Sequence, residues 1–406
     1  MKAAFALKAV INLVPQWFTA SSGGPFGYTL SLNGETLQFF SHRKLTPDLN
    51  KLIESVQAEL PQLMTVAKSL SEVTAVSFIQ EFFAKVWLKN QAPTIDWDRL
   101  INYLNKLGER TFENEQVSCN LVVSSGEGGT PLDDPRIQRL FDPLASSLHT
   151  FLRVNQGMNF VGYEEIPWQS VRDTDTYKFS PEFLQPIWSM LRDGEYSVHQ
   201  TNRGDLIILN SAGLVAAKRK GRWKLYDVFT FKNSIVDAIN QTISSGGENN
   251  YRVGCNLFDV MFDLSFRRHG ALLVYDPSRS VLSHVTNPGS IFSGNADLAR
   301  TALAPHVSSI GMGNTDYGHR KKRLFLELAS LDGALLFTSR EILAVGAMIG
   351  THAKAQQDIG ERSTAARSAL YWGGFPVKIS ADGEILIHFM SLASTGVKSE
   401  ATLEFM

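Results

Sequence analysis

The sequence predicts an α/β protein: a C-terminal mixed β-sheet flanked by helices, preceded by a separate α+β N-terminal domain. Three observations predict it. The chain has 406 residues, more than one typical core holds, so two domains are expected. Its final third alternates short apolar hairpins with helices, the pattern of one sheet covered by helices. The stretch before it carries amphipathic helices and then, from about Gly194, short strands with turn signals. The expected division is an N-terminal region over 1–230 and a C-terminal domain over 231–406.

The first eighteen residues, MKAAFALKAVINLVPQWF, loosely resemble a signal peptide, but Lys8 interrupts the apolar stretch and no small-residue cleavage site follows. They are expected to form an amphipathic helix. Thr46 and Pro47 make a helix start for Leu49–Leu60, whose apolar residues fall at helical spacing. Ser77–Gln91 and Asp98–Arg110 follow the same rule and are expected to serve core packing. Ser124–Pro135, SSGEGGTPLDDP, raises the question of a phosphate cradle. It lacks the Lys-Ser/Thr ending of a P-loop, so a surface loop is the first expectation and a nucleotide site the second. Gly204–Phe229 predicts a small meander turning near Asn210–Gly213 and Arg219–Arg222, with the basic run Lys218–Lys224 as a solvated hairpin. A helix over Ser234–Ile243 then leads to a linker-like loop, Ser244–Asn250.

Composition narrows the function classes. With 44% hydrophobic and 19% charged residues the chain is an ordinary globular protein, and a net charge of -1 offers no whole-molecule attraction to nucleic acid or an acidic membrane. Cys119 and Cys255 are far apart and lack metal-ligand spacing, so neither a disulfide framework nor a zinc site is expected. No apolar run reaches the roughly 20 residues that span a bilayer. The expectation is a cytoplasmic protein without nucleic-acid or membrane partners.

In the final third, Leu257–His269 predicts a helix with Gly270 as its C-cap. Ala271–Val285 predicts a strand, a turn at Asp276–Ser278 and a second strand. After Lys322–Ser330, the segment Asp332–Ile349 predicts a hairpin turning at Ser339–Glu341. Gly360–Trp372 predicts a glycine turn into a short helix, and Phe375–Phe389 a hairpin with Asp382-Gly383 at its turn.

Two short pieces carry chemistry. In Asp332-Gly333-Ala334 the carboxylate either caps its own turn or faces a ligand, which the bare glycine lets approach the backbone. In GERSTAAR, Gly360–Arg367, Ser363 or Thr364 is a candidate N-cap, and the helix start attracts phosphate. Arg362 would grip that phosphate with its planar fork; the plain alternative is a capped surface helix with a solvated arginine.

Taken in order, Asp-Gly-Ala, then Gly-x-Arg-x-x-Ala-Ala, then the Val-x-Ile-Ser hairpin resemble the diadenylate cyclase domain. That family joins two ATP molecules into cyclic di-AMP and carries D-G-A, G-x-R-H-R-A-A and V-S-E-E-x-G segments. Here they correspond to Asp332–Ala334, to Gly360–Ala366 and to Ile379–Gly383, with Arg267–Val274 similar to the family's helix end and first core strand. The resemblance covers roughly residues 235–392. It implies that Asp332 lies by the ribose and a divalent cation, Mg2+ or Mn2+, positioning an attacking 3′-hydroxyl. It also implies that Arg362 grips the triphosphate, with Gly333, Ala334, Gly360, Ser363 and Thr364 lining the nucleotide and Asp382 as a further metal ligand. ATP is the implied partner, together with a homo-oligomer whose sites meet face to face.

The chain departs from the family where Ser363 and Thr364 replace its histidine and second arginine, and where Ala381 and Asp382 replace its paired glutamates. Lys354, Arg367 or the basic run His319–Arg323 could restore charge. These changes leave a second reading: a degenerate domain that binds a nucleotide or cyclic dinucleotide without catalysis. The N-terminal region carries no catalytic signature, and the resemblance implies a sensor there.

Overall fold

The computed structural model describes residues 9–10, 13, 26–32, 35–41, 47–67, 69–112, 115–137, 150–166, 178–243, 247–292, 306–307, 309–315, 317–355, 360–392 and 398–405. The expected first helix lies outside them except for Ala9, Val10 and Leu13, which are buried. The chain divides into two compact units, Met1–Val228 and Phe229–Met406. Both are α/β, each built on a mixed sheet.

In the first unit, the hairpin of β1 (Phe26–Leu32) and β2 (Glu35–Ser41) precedes three helices: α1 (Pro47–Ala67), α2 (Glu72–Gln91) and α3 (Trp97–Gly108). Ser71 caps α2 by accepting the Thr74 N–H at 3.3 Å, and Asp96 caps α3 by accepting that of Arg99 at 3.0 Å. Their apolar faces, with Leu52, Phe83 and Trp97, share a core with Leu121, Val198 and Trp223 of the sheet. A two-residue pair, β3 (Thr111–Phe112) and β4 (Glu115–Gln116), follows, and the main sheet takes in β5 (Cys119–Ser124), β6 (Thr130–Pro131), β7 (Thr150–Asn155), β8 (Asn159–Glu165) and, after the short helix α4 (Gln185–Met190), β9 (Tyr196–Gln200), β10 (Leu206–Asn210), β11 (Gly213–Arg219) and β12 (Arg222–Leu225). Its order is β12-β11-β10-β9-β5-β7-β8-β6, with β5 and β7 parallel.

The predicted meander is therefore one edge of a larger sheet, whose strands β5, β7 and β8 precede the expected change of texture. The glycine-rich loop adds the short β6 against β8. The basic run is only partly solvated. Lys218 donates to Glu81 at 2.8 Å and Asn105 at 3.1 Å, while Arg219 is buried 3.9 Å from Asp205.

His199, on β9, is buried and bonded through Nδ1 to the Asn120 amide oxygen. Burial pushes its pKa down to about 4, so it is neutral in the folded state at pH 7. The unfolded chain binds this proton near pH 6.5 and the folded chain does not, so stability rises with pH across that interval. Acidification from pH 7 to 4 should cost about 3 kcal/mol through this group. Urea titrations of His199→Asn should show a shallower fall in stability over that range than the wild type.

The second unit holds α5 (Val228–Thr242), α6 (Gly247–Arg267), β13 (Ala271–Tyr275), α7 (His319–Ala329), β14 (Ala334–Phe337), β15 (Ile342–Ala347), α8 (Glu361–Tyr371), β16 (Phe375–Ile379), β17 (Ile385–Leu392) and β18 (Lys398–Phe405). The sheet order is β15-β14-β13-β16-β17-β18, and only β13 and β14 are parallel among these pairs. Alternation along the strands buries both faces. Leu272, Val274, Ala334 and Leu336 share one core with Ala366 and Ala369 of α8. Tyr275 and Phe337 pack with Phe325 of α7 on the other face.

Three local expectations change. Gly247–Asn250 begins α6, so only Ser244–Gly246 of the expected linker loop lies outside the described residues. Ala271–Val285 is not a hairpin, because the buried Asp276 carboxylate accepts the N–H groups of Ser280 and Leu282, each at 3.0 Å. Those bonds coil the chain beyond β13, whose partners are instead β14 and β16. Gly270 is not the cap of α6: Arg268 takes the left-handed position at φ 56°. The Arg268 N–H donates to Ser265 O at 3.0 Å and the His269 N–H to Leu264 O at 2.9 Å, which closes the helix.

Candidate functional site

The sheet of the second unit brings distant pieces of chain to one end. Because β13 and β14 run parallel, Gly270 and Asp332-Gly333 enter their strands from the same side. The antiparallel neighbours β15 and β16 finish there, which adds Gly346 and Ser380–Gly383. Gly333 has φ 101°, and a Cβ on it would lie 2.5 Å from the Gly346 carbonyl carbon. Only glycine fits this crossing, and the turn it permits leaves the Asp332 side chain 99% exposed. Ala334 is already inside the sheet, its methyl group part of the core beneath α8.

Gly360, at φ 109°, occupies the N-cap of α8, and its carbonyl accepts the N–H groups of Ser363 at 3.1 Å and Thr364 at 3.3 Å. Neither Ser363 nor Thr364 is the cap; both lie within the first turns of the helix. Arg362 projects from this start and donates from Nη2 to Asp332 Oδ1 at 3.3 Å. The same Oδ1 accepts the Gly333 N–H at 3.1 Å, so Asp332 caps its own turn as the first of its two readings expected. The guanidinium also lies across Gly270, where a Cβ would come within 2.5 Å of Arg362 Nη1 and 3.3 Å of the Ala381 N. The tip of the Arg362 side chain lies where a Gly270 side chain would begin.

The strength of this contact matters for function. Asp332 is wholly exposed and Arg362 is 37% exposed, so the pair is worth about 0–1 kcal/mol. It contributes little to folding and parts readily for a ligand. Asp382 is exposed in the β16–β17 turn, directly after Ala381. Among the described residues no three His, Cys, Asp or Glu side chains gather as a metal cage.

The basic residues expected to restore charge are mostly engaged elsewhere. Arg367 donates two hydrogen bonds to the Glu400 carboxylate of β18, at 2.8 and 2.9 Å, and Tyr371 donates to the same carboxylate at 2.7 Å. Lys322 is buried 2.6 Å from Asp263. Lys354 is exposed in the segment before α8. Sequence reasoning missed Gly270 as a site residue and missed Lys378, whose Nζ donates to Ser363 Oγ at 2.5 Å. A lysine inside an otherwise apolar strand, FPVKI, was the available signal for the second.

No family model matches the chain, and no curated protein does. Among solved structures, a hypothetical membrane spanning protein from Bacillus cereus is similar at 18% identity and a TM-score of 0.25, over 43% of this chain and 73% of that one. A double mutant of DacA from Staphylococcus aureus is similar at 17% identity and a TM-score of 0.22, over 38% of this chain and 89% of that one.

Proposed function

We propose that the second unit is a nucleotidyltransferase that condenses two ATP molecules into cyclic di-AMP and releases pyrophosphate, regulated by the first unit as a sensor. The observation that carries this reading is the meeting of two motifs thirty residues apart, with Arg362 Nη2 3.3 Å from Asp332 Oδ1 beside a bare Gly270. In the reaction, the 3′-hydroxyl oxygen of one ATP forms a bond to the α-phosphorus of the other, and the bond from that phosphorus to its pyrophosphate breaks. A second such step closes the ring. Asp332 accepts the hydrogen bond of the attacking hydroxyl and orients it. Arg362 exchanges its weak hold on Asp332 for phosphate oxygens, where its donors stabilise developing charge. Asp332 and Asp382 would hold Mg2+ or Mn2+, which supplies charge neutralisation of the phosphates.

Each site serves one ATP, so two copies must face each other. The exposed side chains of Leu331 and Met348, beside Asp332 and just past Gly346, give that end of the sheet an apolar rim suited to such a contact. For the sensor role, the first unit offers a cavity of about 610 Å3 in which Tyr103, Leu107 and Met158 meet Lys106 and Arg110. That volume lies in the range of small-ligand sites.

A second reading, nucleotide binding without turnover, draws support from Ser363 and Thr364. Ser363 is buried against Lys378 and Thr364 Oγ1 turns back to the Gly360 carbonyl at 3.5 Å, so neither brings charge to the phosphates. Pyrophosphate release from ATP, followed as protein concentration rises, separates the two. Turnover should increase more than linearly with concentration while face-to-face pairs are forming. ATP binding without any pyrophosphate at any concentration would establish the second reading in its place.

A further inference from the structure

The search for charge around α8 leads to a residue outside both motifs. Lys378 lies in the middle of β16, opposite Leu272 of β13. Leu272 faces α8, and Lys378 faces it too, because its amine reaches Ser363 in the first turn of that helix. Gly270, under the Arg362 guanidinium, is two residues before Leu272 on the same face of β13. The lysine and the arginine therefore meet the same helix start, Lys378 bonding Ser363, the residue that follows Arg362.

Lys378 brings a positive charge to the start of α8, where Arg362 is paired with Asp332. Lys378 is half-buried, and among the described residues it forms no ion pair; its bond is to a neutral hydroxyl. It points at a helix N-terminus, which itself carries partial positive charge. Arg362 adds a second cation in the same turn, and the first-turn carboxylate, Glu361, is exposed. The fully buried lysines of this unit meet carboxylates, Lys232 at 2.8 Å from Asp259 and Lys322 at 2.6 Å from Asp263, whereas the half-buried Lys378 meets a hydroxyl.

We infer that Lys378 is a phosphate-binding residue of the nucleotide site, supplying with Arg362 the positive charge that Ser363 and Thr364 do not. The inference rests on the proposed nucleotide reading and deepens it: the ligand is held by its polyphosphate through two cations on adjoining elements, with Ser363 steering the lysine. Lys378 is the unspecified position of the Val-x-Ile-Ser segment, since its proposed role arises from the pairing of β16 beside β13.

The test is calorimetric titration of the full chain with adenosine and with ATP in Mg2+. Lys378→Met should weaken ATP binding roughly tenfold to a hundredfold and leave adenosine unchanged, because a charge-assisted bond to phosphate is removed. Lys378→Arg should retain most of the ATP affinity. Thermal unfolding checks each variant; if Lys378→Met does not fold, Lys378→Gln, which still bonds Ser363, takes its place with the same expected loss. Equal ATP affinity in wild type and variant overturns the inference and leaves the nucleotide site standing. A parallel fall for adenosine and ATP also overturns it, marking the lysine as structural. Failure of the wild type to bind ATP overturns the nucleotide reading and this inference with it.

Discussion

Asp332→Asn should lower cyclic di-AMP formation by at least about a hundredfold and leave the melting temperature unchanged. The substitution is isosteric and keeps an acceptor for the Gly333 N–H, so the turn survives. What disappears is the negative charge facing Arg362 and, in the proposed mechanism, the strong acceptor for the attacking hydroxyl. Stability is untouched because the side chain is 99% exposed and its pair with Arg362 is worth about 1 kcal/mol at most. Product analysis by mass spectrometry and thermal unfolding of the same sample separate the two effects. Activity within a few-fold of wild type would remove Asp332 from the mechanism.

The largest effect on stability should come from the opposite kind of site. Lys322, on α7, is buried 2.6 Å from Asp263 of α6, and Lys232 of α5 is buried 2.8 Å from Asp259. Burial pushes the Asp263 carboxyl up to about 6, against the pull of the Lys322 ammonium beside it. Asp263→Asn leaves a buried ammonium with a neutral neighbour and should cost about 3–5 kcal/mol. For a unit of this size the melting temperature falls on the order of 10 °C. The double change Asp263→Leu with Lys322→Met removes both charges together and should recover most of that loss. Denaturant titrations of the two variants check it, and equal destabilisation by single and double changes would contradict the pairing account.

Some of the second unit was legible in local patterns. The β14–β15 and β16–β17 hairpins follow from apolar runs bounded by turn residues, and Asp382-Gly383 turns the chain where it was expected, with Gly383 at φ 86°. Gly360 opens α8 as its sequence implied. The misses share a cause, since each depends on a partner distant in sequence. Ala271–Val285 reads as a hairpin until Asp276 is seen capturing two N–H groups inside the fold. Gly270 reads as a helix cap until Arg362, ninety-two residues on, is found lying across it. Arg367 reads as free charge until β18 delivers Glu400. Lys322 did leave a local trace, because it stands three and four residues before Phe325 and Leu326 on the apolar stripe of α7.

The candidate site divides in the same way. Asp332, Gly333, Gly360 and Arg362 could be named from short motifs because turns and helix starts have local signatures. Lys378 could not, since its meaning lies in which strand stands next to β13.

The most direct test of the central claim is mass spectrometry of the products that the full chain forms from ATP with Mg2+ or Mn2+. The account predicts cyclic di-AMP accompanied by two pyrophosphates for each ring, lost in Asp332→Asn. ATP recovered unchanged with either cation, at protein concentrations where the chain self-associates, would contradict it.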